Sequence, residues 1–216
     1  ALVKASFFEE RSRPLPIYGP TGNKFMPSTV TFVRALFDST RGAYRYLGDF
    51  LSPLTKNTYK LQPRDVEEVH GKLGTKRKPQ NEIRYVFANE RLQAMAVRVV
   101  HGALPALAWR IDAGGKRIVF SGDMNGEGGG LERLAQEADL LIAHNAVPEN
   151  AGGVERGLHM PPSVIGRLVG KAGVKQLVLS HRMRRTLGHE AETLEAIKKN
   201  YPGPVVFAND LECFQP

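Results

Sequence analysis

The chain has 216 residues, 42% of them apolar and 24% charged, an ordinary balance for a soluble domain with one core. No run of about 18 or more apolar residues occurs, and the opening ALVKASFFEERSR turns charged too early for a signal peptide or membrane span, so no membrane partner is expected. The only cysteine, Cys213, excludes an internal disulfide and a cysteine-rich zinc site, leaving histidine and carboxylate as metal donors. The formal charge of +8 favours anions such as phosphate or sulfate esters, and suits nucleic acid or a merely solvated basic surface as well.

Residues 13–22, RPLPIYGPTG, read as a short strand running into a turn. Residues 28–51 read as a helix, because Val30, Val33, Ala35, Leu36 and Phe37 recur near a 3.6-residue period. Residues 63–82 are the most polar stretch and read as a surface excursion. From residue 92 the pattern becomes regular. LQAMAVRVVH, LAWRID and KRIVFSGD are strands, LERLAQEA a helix and DLLIAH a strand. PPSVIGRLVGKAG is a helix opened by prolines, VKQLVLSH a strand, EAETLEAIKKN a helix with acids early and lysines late, and PVVFAND a last strand. The expectation is an α/β protein, antiparallel at first and then alternating strand and helix, with IVF, LLI, LVL and VVF covered on both faces.

Polar residues stand where these apolar strands end: His101 after AVRVV, Asp123 after IVFSG, His144 after LLIA and His181 after LVLS. Ends of neighbouring strands share one edge of a sheet, where active sites of open α/β folds gather. Singly, each is the usual mark of a hydrogen-bonded structural residue or, for Asp123, of a turn cap. Together they offer imidazole and carboxylate donors suited to zinc, and a carboxylate is able to bridge two cations roughly 3.5–4 Å apart. DMNGEGGG is a poor phosphate loop, since it lacks a GK[ST] ending and follows the aspartate. Arg182, Arg184 and Arg185 in HRMRRT flank the site, where guanidinium groups grip sulfate, phosphate or carboxylate if they do not simply face solvent.

The segments VVHGALPALAWRI, GKRIVFSGDM, ADLLIAHNAV and LHMPPSVIGRLVGKAGVKQLVLSHR resemble successive motifs of the metallo-β-lactamase superfamily, in its ribonuclease Z and arylsulfatase-like branch. The resemblance covers nearly the whole chain, most strongly from residue 97 onward. It implies a metallo-β-lactamase-like αββα sandwich formed by residues 1–216 as one domain. It also implies a hydrolase in which a metal-bridging water cleaves an ester-like bond, with two zinc ions expected in the complete protein and manganese or iron as the other candidates. By that resemblance His101 completes the first metal site, Asp123 bridges both metals and takes part in catalysis, and His181 binds the second metal. His159, 22 positions before His181, matches the histidine that steadies or protonates the leaving oxygen.

His144 matches a position where ribonuclease Z has His-Glu-Ala-Thr, but Asn145 replaces the acid, so His144 is expected to be an orienting or structural neighbour of the metals. His70 and His189 are bystanders. The family's His-x-His-x-Asp-His motif is missing from these residues, and it is expected to lie, with the first strands, ahead of Ala1. Only 22 positions separate His101 from Asp123, too few for the tRNA-gripping arm of bacterial ribonuclease Z. The leading expectation is therefore a small anionic ester, a phosphodiester or sulfate ester, as substrate. A tRNA 3′-end endonuclease, with nucleic acid as partner, and a metal-poor, inactive binding module are the competing readings. A homodimer is compatible with the sequence, and cytoplasm and periplasm are both open.

Overall fold

In the computed structural model, which describes residues 2–6, 11–56, 58–66 and 82–216, the chain divides into two units, Ala1–Glu68 and Val69–Pro216. The first holds α1 (Leu2–Ser6), β1 (Leu15–Pro20), α2 (Thr29–Phe37), a 3-10 turn over Arg45–Phe50, and β2 (Leu61–Val66). β1 and β2 pair in parallel, with Leu15 opposite Leu61 and Pro20 opposite Val66. Val33, Leu47, Phe50, Tyr59 and Leu61 form the buried core of this unit.

Two sequence expectations need correction here. The helix expected over residues 28–51 stops at Phe37. Asp38 ends it by accepting from the Thr40 and Arg41 amides at 2.9 and 2.8 Å, a side-chain turn that competes with further helix. Hydrogen bonds from the Thr40 hydroxyl and then from these amides hold the Asp38 carboxyl at about 2. The polar excursion expected from residue 63 begins instead as β2, whose pairing with β1 is non-local and hidden by Pro63, Arg64 and Asp65. Residues 67–81 of that excursion, His70 among them, lie outside the described residues.

The second unit is built on a seven-stranded sheet: β3 (Arg84–Ala88), β4 (Leu92–His101), β5 (Leu104–Ala113), β6 (Lys116–Phe120), β7 (Leu140–His144), β8 (Gln176–Ser180) and β9 (Val205–Phe207), in that spatial order. β3 to β6 pair antiparallel and β6 to β9 parallel, as the strand–helix pattern led one to expect. Four helices join them: α3 (Gly130–Leu134), α4 (Gly153–Leu158), α5 (Pro162–Ala172) and α6 (Glu190–Lys198). α3 is shorter than LERLAQEA promised. Glu137 takes a left-handed φ of 51°, and its amide is drawn to the Ala172 carbonyl at 2.8 Å.

Period-2 alternation sends Val97, Ala108, Val119, Leu141 and Leu177 into one core with Leu131 and Leu134 of α3, Ile165 and Val169 of α5, and Ile197 of α6. Each fully buried Leu or Ile contributes about 1.5–3 kcal/mol relative to an exposed one. α5 and α6 approach closely at glycines: a Cβ on Gly170 would lie 2.2 Å from the Asn200 carbonyl oxygen. No described helix is long and apolar enough to cross a membrane.

The topology settles where the site forms. β4 and β6 both run antiparallel to β5, and so run in the same direction as each other, while β7 and β8 are parallel to β6. The carboxyl ends of β4, β6, β7 and β8 therefore lie along one edge of the sheet.

Candidate metal centre

His101 closes β4, His144 closes β7, His181 follows β8, and Asp123 lies three residues past β6. Ser121, fully buried, fastens two of these ends together. Its amide donates to the Ile142 carbonyl at 2.9 Å and its Oγ accepts from the His144 amide at 3.2 Å. Gly122 follows with a φ of 61°, and a Cβ there would meet the Leu107 carbonyl at 2.8 Å, so only glycine brings Asp123 into place without a shift. His181 has a φ of 50°, a conformation that costs a non-glycine residue about 1–2 kcal/mol and that turns the chain sharply off the strand. His159 arrives by another route, as the residue that ends α4.

Asp123 is the centre of the group. His144 Nδ1 donates to its Oδ1 at 2.6 Å. His181 Nε2 and His159 Nδ1 stand 3.5 and 3.6 Å from the same oxygen, and His101 Nε2 lies 3.9 Å from Oδ2. The ligand atoms of His101, Asp123 and His159 fall within 4.8 Å of one another, as do those of Asp123, His144 and His181. His101 Nδ1 hydrogen-bonds to the Leu158 carbonyl at 2.9 Å. A carbonyl only accepts, so Nδ1 carries a proton and Nε2 is the ring nitrogen turned towards Asp123.

Electrostatics follow from this crowding. Burial alone would raise the Asp123 carboxyl, but the His144 hydrogen bond and the His144, His181 and His159 imidazoles outweigh it and hold the group below the usual carboxylate range. Burial pushes the His159 imidazole down; Asp123 pulls it up, and the other three imidazoles oppose a further positive charge. His159 is buried, and its Nδ1 has no hydrogen-bond partner. A buried imidazole nitrogen without a partner is costly unless a ligand occupies it, and the His101 and His181 ring nitrogens around the Asp123 carboxylate are the donors a divalent metal ion takes. The residues present therefore suit the metal that the sequence resemblance implies.

All five polar residues singled out near the strand ends and at position 159 come together. The arginines do so only in part. Arg182 pairs with Glu190 and lies over the Phe207 ring at 5.2 Å, and Arg185 pairs with Glu155. Arg184 is exposed. His189 stands exposed at the start of α6, with Nδ1 3.4 Å from Glu192, outside both donor groups. Sequence reasoning missed Ser121, Asn125, Glu155 and Arg156. Only the glycines around them, which mark a tightly turned backbone, hinted at a constructed loop.

A family model described as a beta-lactamase superfamily domain matches residues 59–182, over half of the chain and all five of these site residues. No curated protein sequence matches. Among solved structures the chain is similar to the metallo-beta-lactamase fold protein YhfI from Bacillus subtilis, at 18% identity and a TM-score of 0.61, covering 91% of this chain and 63% of that one. It is similar to human tRNase Z, short form, at 18% identity and a TM-score of 0.63, covering 99% of this chain and 71% of that one. Zinc-bound PqqB from Methylobacterium extorquens is 14% identical with a TM-score of 0.55, and the match covers 97% of this chain and 66% of that one. The chain thus spans under two thirds of the length of YhfI and of PqqB. With this match and this fold, the chain belongs to the beta-lactamase superfamily domain family and is a metallo-β-lactamase-fold protein.

Proposed function

We propose that the protein is a zinc-dependent hydrolase of an anionic ester, a phosphodiester ahead of a sulfate ester. The observation that carries this is the convergence of four imidazoles on one carboxylate, with a buried His159 nitrogen left for a ligand. Nitrogen and oxygen donors without cysteine suit zinc, with manganese and iron as the nearest alternatives. In this reading His101, Asp123 and His181 hold the metal, which when bound supplies Lewis acidity and an activated water for the attack.

The protein's own groups do the rest. His144 keeps the Asp123 carboxylate ionised and aimed. His159, whose imidazole burial pushes towards the neutral form, steadies the leaving oxygen with a ring N–H. The net charge of +8 draws an anionic substrate towards the site, and the exposed Arg184 is the arginine we assign to its charged group. A tRNA 3′-end endonuclease would share this chemistry. It is disfavoured because β4 turns into β5 at Gly102 and Ala103, and β5 into β6 at Gly114 and Gly115, leaving no arm between His101 and Asp123 to grip an RNA.

The test is metal loading followed by turnover. We expect the protein to retain zinc after loading, and hydrolysis of bis(p-nitrophenyl) phosphate above that of p-nitrophenyl sulfate or a simple lactone. A protein that retains no zinc after loading refutes the hydrolase reading and favours a metal-poor module that binds anions.

A further inference from the structure

None of the six residues of α4 is fully buried, and its Leu158 side chain rests against the turn at Gly102. Three polar contacts hold it, each to a different segment of the metal centre. Arg156 Nη1 donates to the Asn125 carbonyl at 2.8 Å, two residues beyond Asp123. Glu155 pairs with Arg185, four residues beyond His181. The Leu158 carbonyl takes the His101 Nδ1–H. A fourth bond ties the first and third together, since the Asn125 amide donates to the Val100 carbonyl at 2.8 Å, next to His101. The residue that follows this short helix is His159.

The glycines of α4 are loosely surrounded. Gly152, Gly153 and Gly157 meet nothing within 4 Å at the position of a Cβ, and Gly153 has a φ of 53°. A glycine-flanked helix with no fully buried residue depends on these polar contacts to hold its place. The Glu155 and Arg185 side chains are 46% and 34% exposed, so water competes for that pair and no single contact is strong.

We propose that α4 is a polar clasp, and that Arg156 and Glu155 are positioning residues that keep His159 and the His101 ring in register with Asp123 and His181. The catalytic consequence rests on the hydrolase reading above; the clasp itself does not. Releasing α4 removes the acceptor that sets the His101 tautomer and lets His159 swing away, while the sheet and its helices stay packed.

The experiment compares Arg156→Ala, Glu155→Gln and the reversed pair Glu155→Arg with Arg185→Glu against the full, zinc-loaded protein. Backbone amide exchange over residues 153–159, zinc affinity by chelator competition, and kcat and KM on bis(p-nitrophenyl) phosphate are measured for each. Both single variants should speed exchange in 153–159 while leaving β7 and β8 protected. Zinc affinity should fall about tenfold, and kcat should drop with KM nearly unchanged. The reversed pair should recover part of each loss relative to Glu155→Gln. Wild-type exchange and zinc affinity in both single variants, or an equal rise in exchange throughout the sheet, overturns the clasp. If the wild-type protein takes up no zinc, the hydrolase reading fails on its own, and the exchange data still decide whether Arg156 and Glu155 hold α4.

Discussion

His144 and Asp123, 21 residues apart, meet through an Nδ1 to Oδ1 hydrogen bond of 2.6 Å that orients the carboxylate at the middle of the cluster. His144 closes β7 and Asp123 follows the adjacent parallel strand β6, and Ser121 ties those two strand ends together. Replacing His144 with Ala should leave the fold intact and weaken metal binding by about 10- to 100-fold, the usual cost of losing a partner that aims a ligand. Asp123→Ala should do more and abolish stoichiometric binding. Metal content after dialysis against a weak chelator separates the two; equal loss in both variants would make His144 a ligand in its own right.

His159 separates catalysis from metal binding. On the proposed roles, His159→Ala keeps the metal and lowers kcat by about 10²- to 10⁴-fold, the range of a proton-handling or leaving-group residue. The slowing should be largest for substrates with poor leaving groups and small for p-nitrophenyl esters. A variant that loses metal as fully as Asp123→Ala would place His159 among the ligands, where its 3.6 Å approach to Asp123 Oδ1 also fits.

A second set of expectations concerns the scaffold. Gly170→Ala puts a methyl group 2.2 Å from the Asn200 carbonyl oxygen, and Gly166→Ala puts one 2.6 Å from that of Ile197. Both obstacles are backbone, so α5 and α6 must separate. We expect each variant to lose about 1–3 kcal/mol in urea unfolding, with the pair less than additive, since one separation relieves both clashes.

Far from the metal centre, the buried Asp139 accepts from Lys175 Nζ at 2.8 Å and from the Arg117 amide at 2.8 Å. These bonds, Lys175 first, hold its carboxyl below the ordinary value of 3.8 against the opposing effect of burial. A carboxyl lowered in the folded state stabilises the fold above the ordinary value, and the benefit fades as pH falls through the lowered one. Asp139→Asn should therefore cost about 1–3 kcal/mol at pH 7, and its deficit should shrink as the pH drops below about 4. Thermal midpoints from pH 7 to pH 2 measure this, and a deficit that does not change with pH would exclude an ionic role.

Much of the second unit is legible in the residues. The runs AVRVV, IVF, LLI and LVL read as strands because they are short apolar stretches ended by polar or turn residues, and the prolines at 161 and 162 mark the start of α5. The first unit is less legible. Asp38 ends α2 through its own side chain inside an apolar period that otherwise continues, and β2 exists through its pairing with β1, 46 residues away at Leu15 and Leu61. α4 is a single short segment with no fully buried residue, so no apolar period marks it.

The metal centre divides in the same way. By itself the sequence determined which donors stand at strand ends, because the place where a short apolar run stops is a local property of the chain. Only the tertiary structure decided which nitrogen of each ring faces Asp123, and that Arg182 and Arg185 are engaged by carboxylates while Arg184 is exposed. The reason is that a ring's tautomer and a guanidinium's availability depend on their hydrogen-bond partners. For His101 that partner is the carbonyl of Leu158, 57 residues further along the chain, a relation that no local pattern encodes.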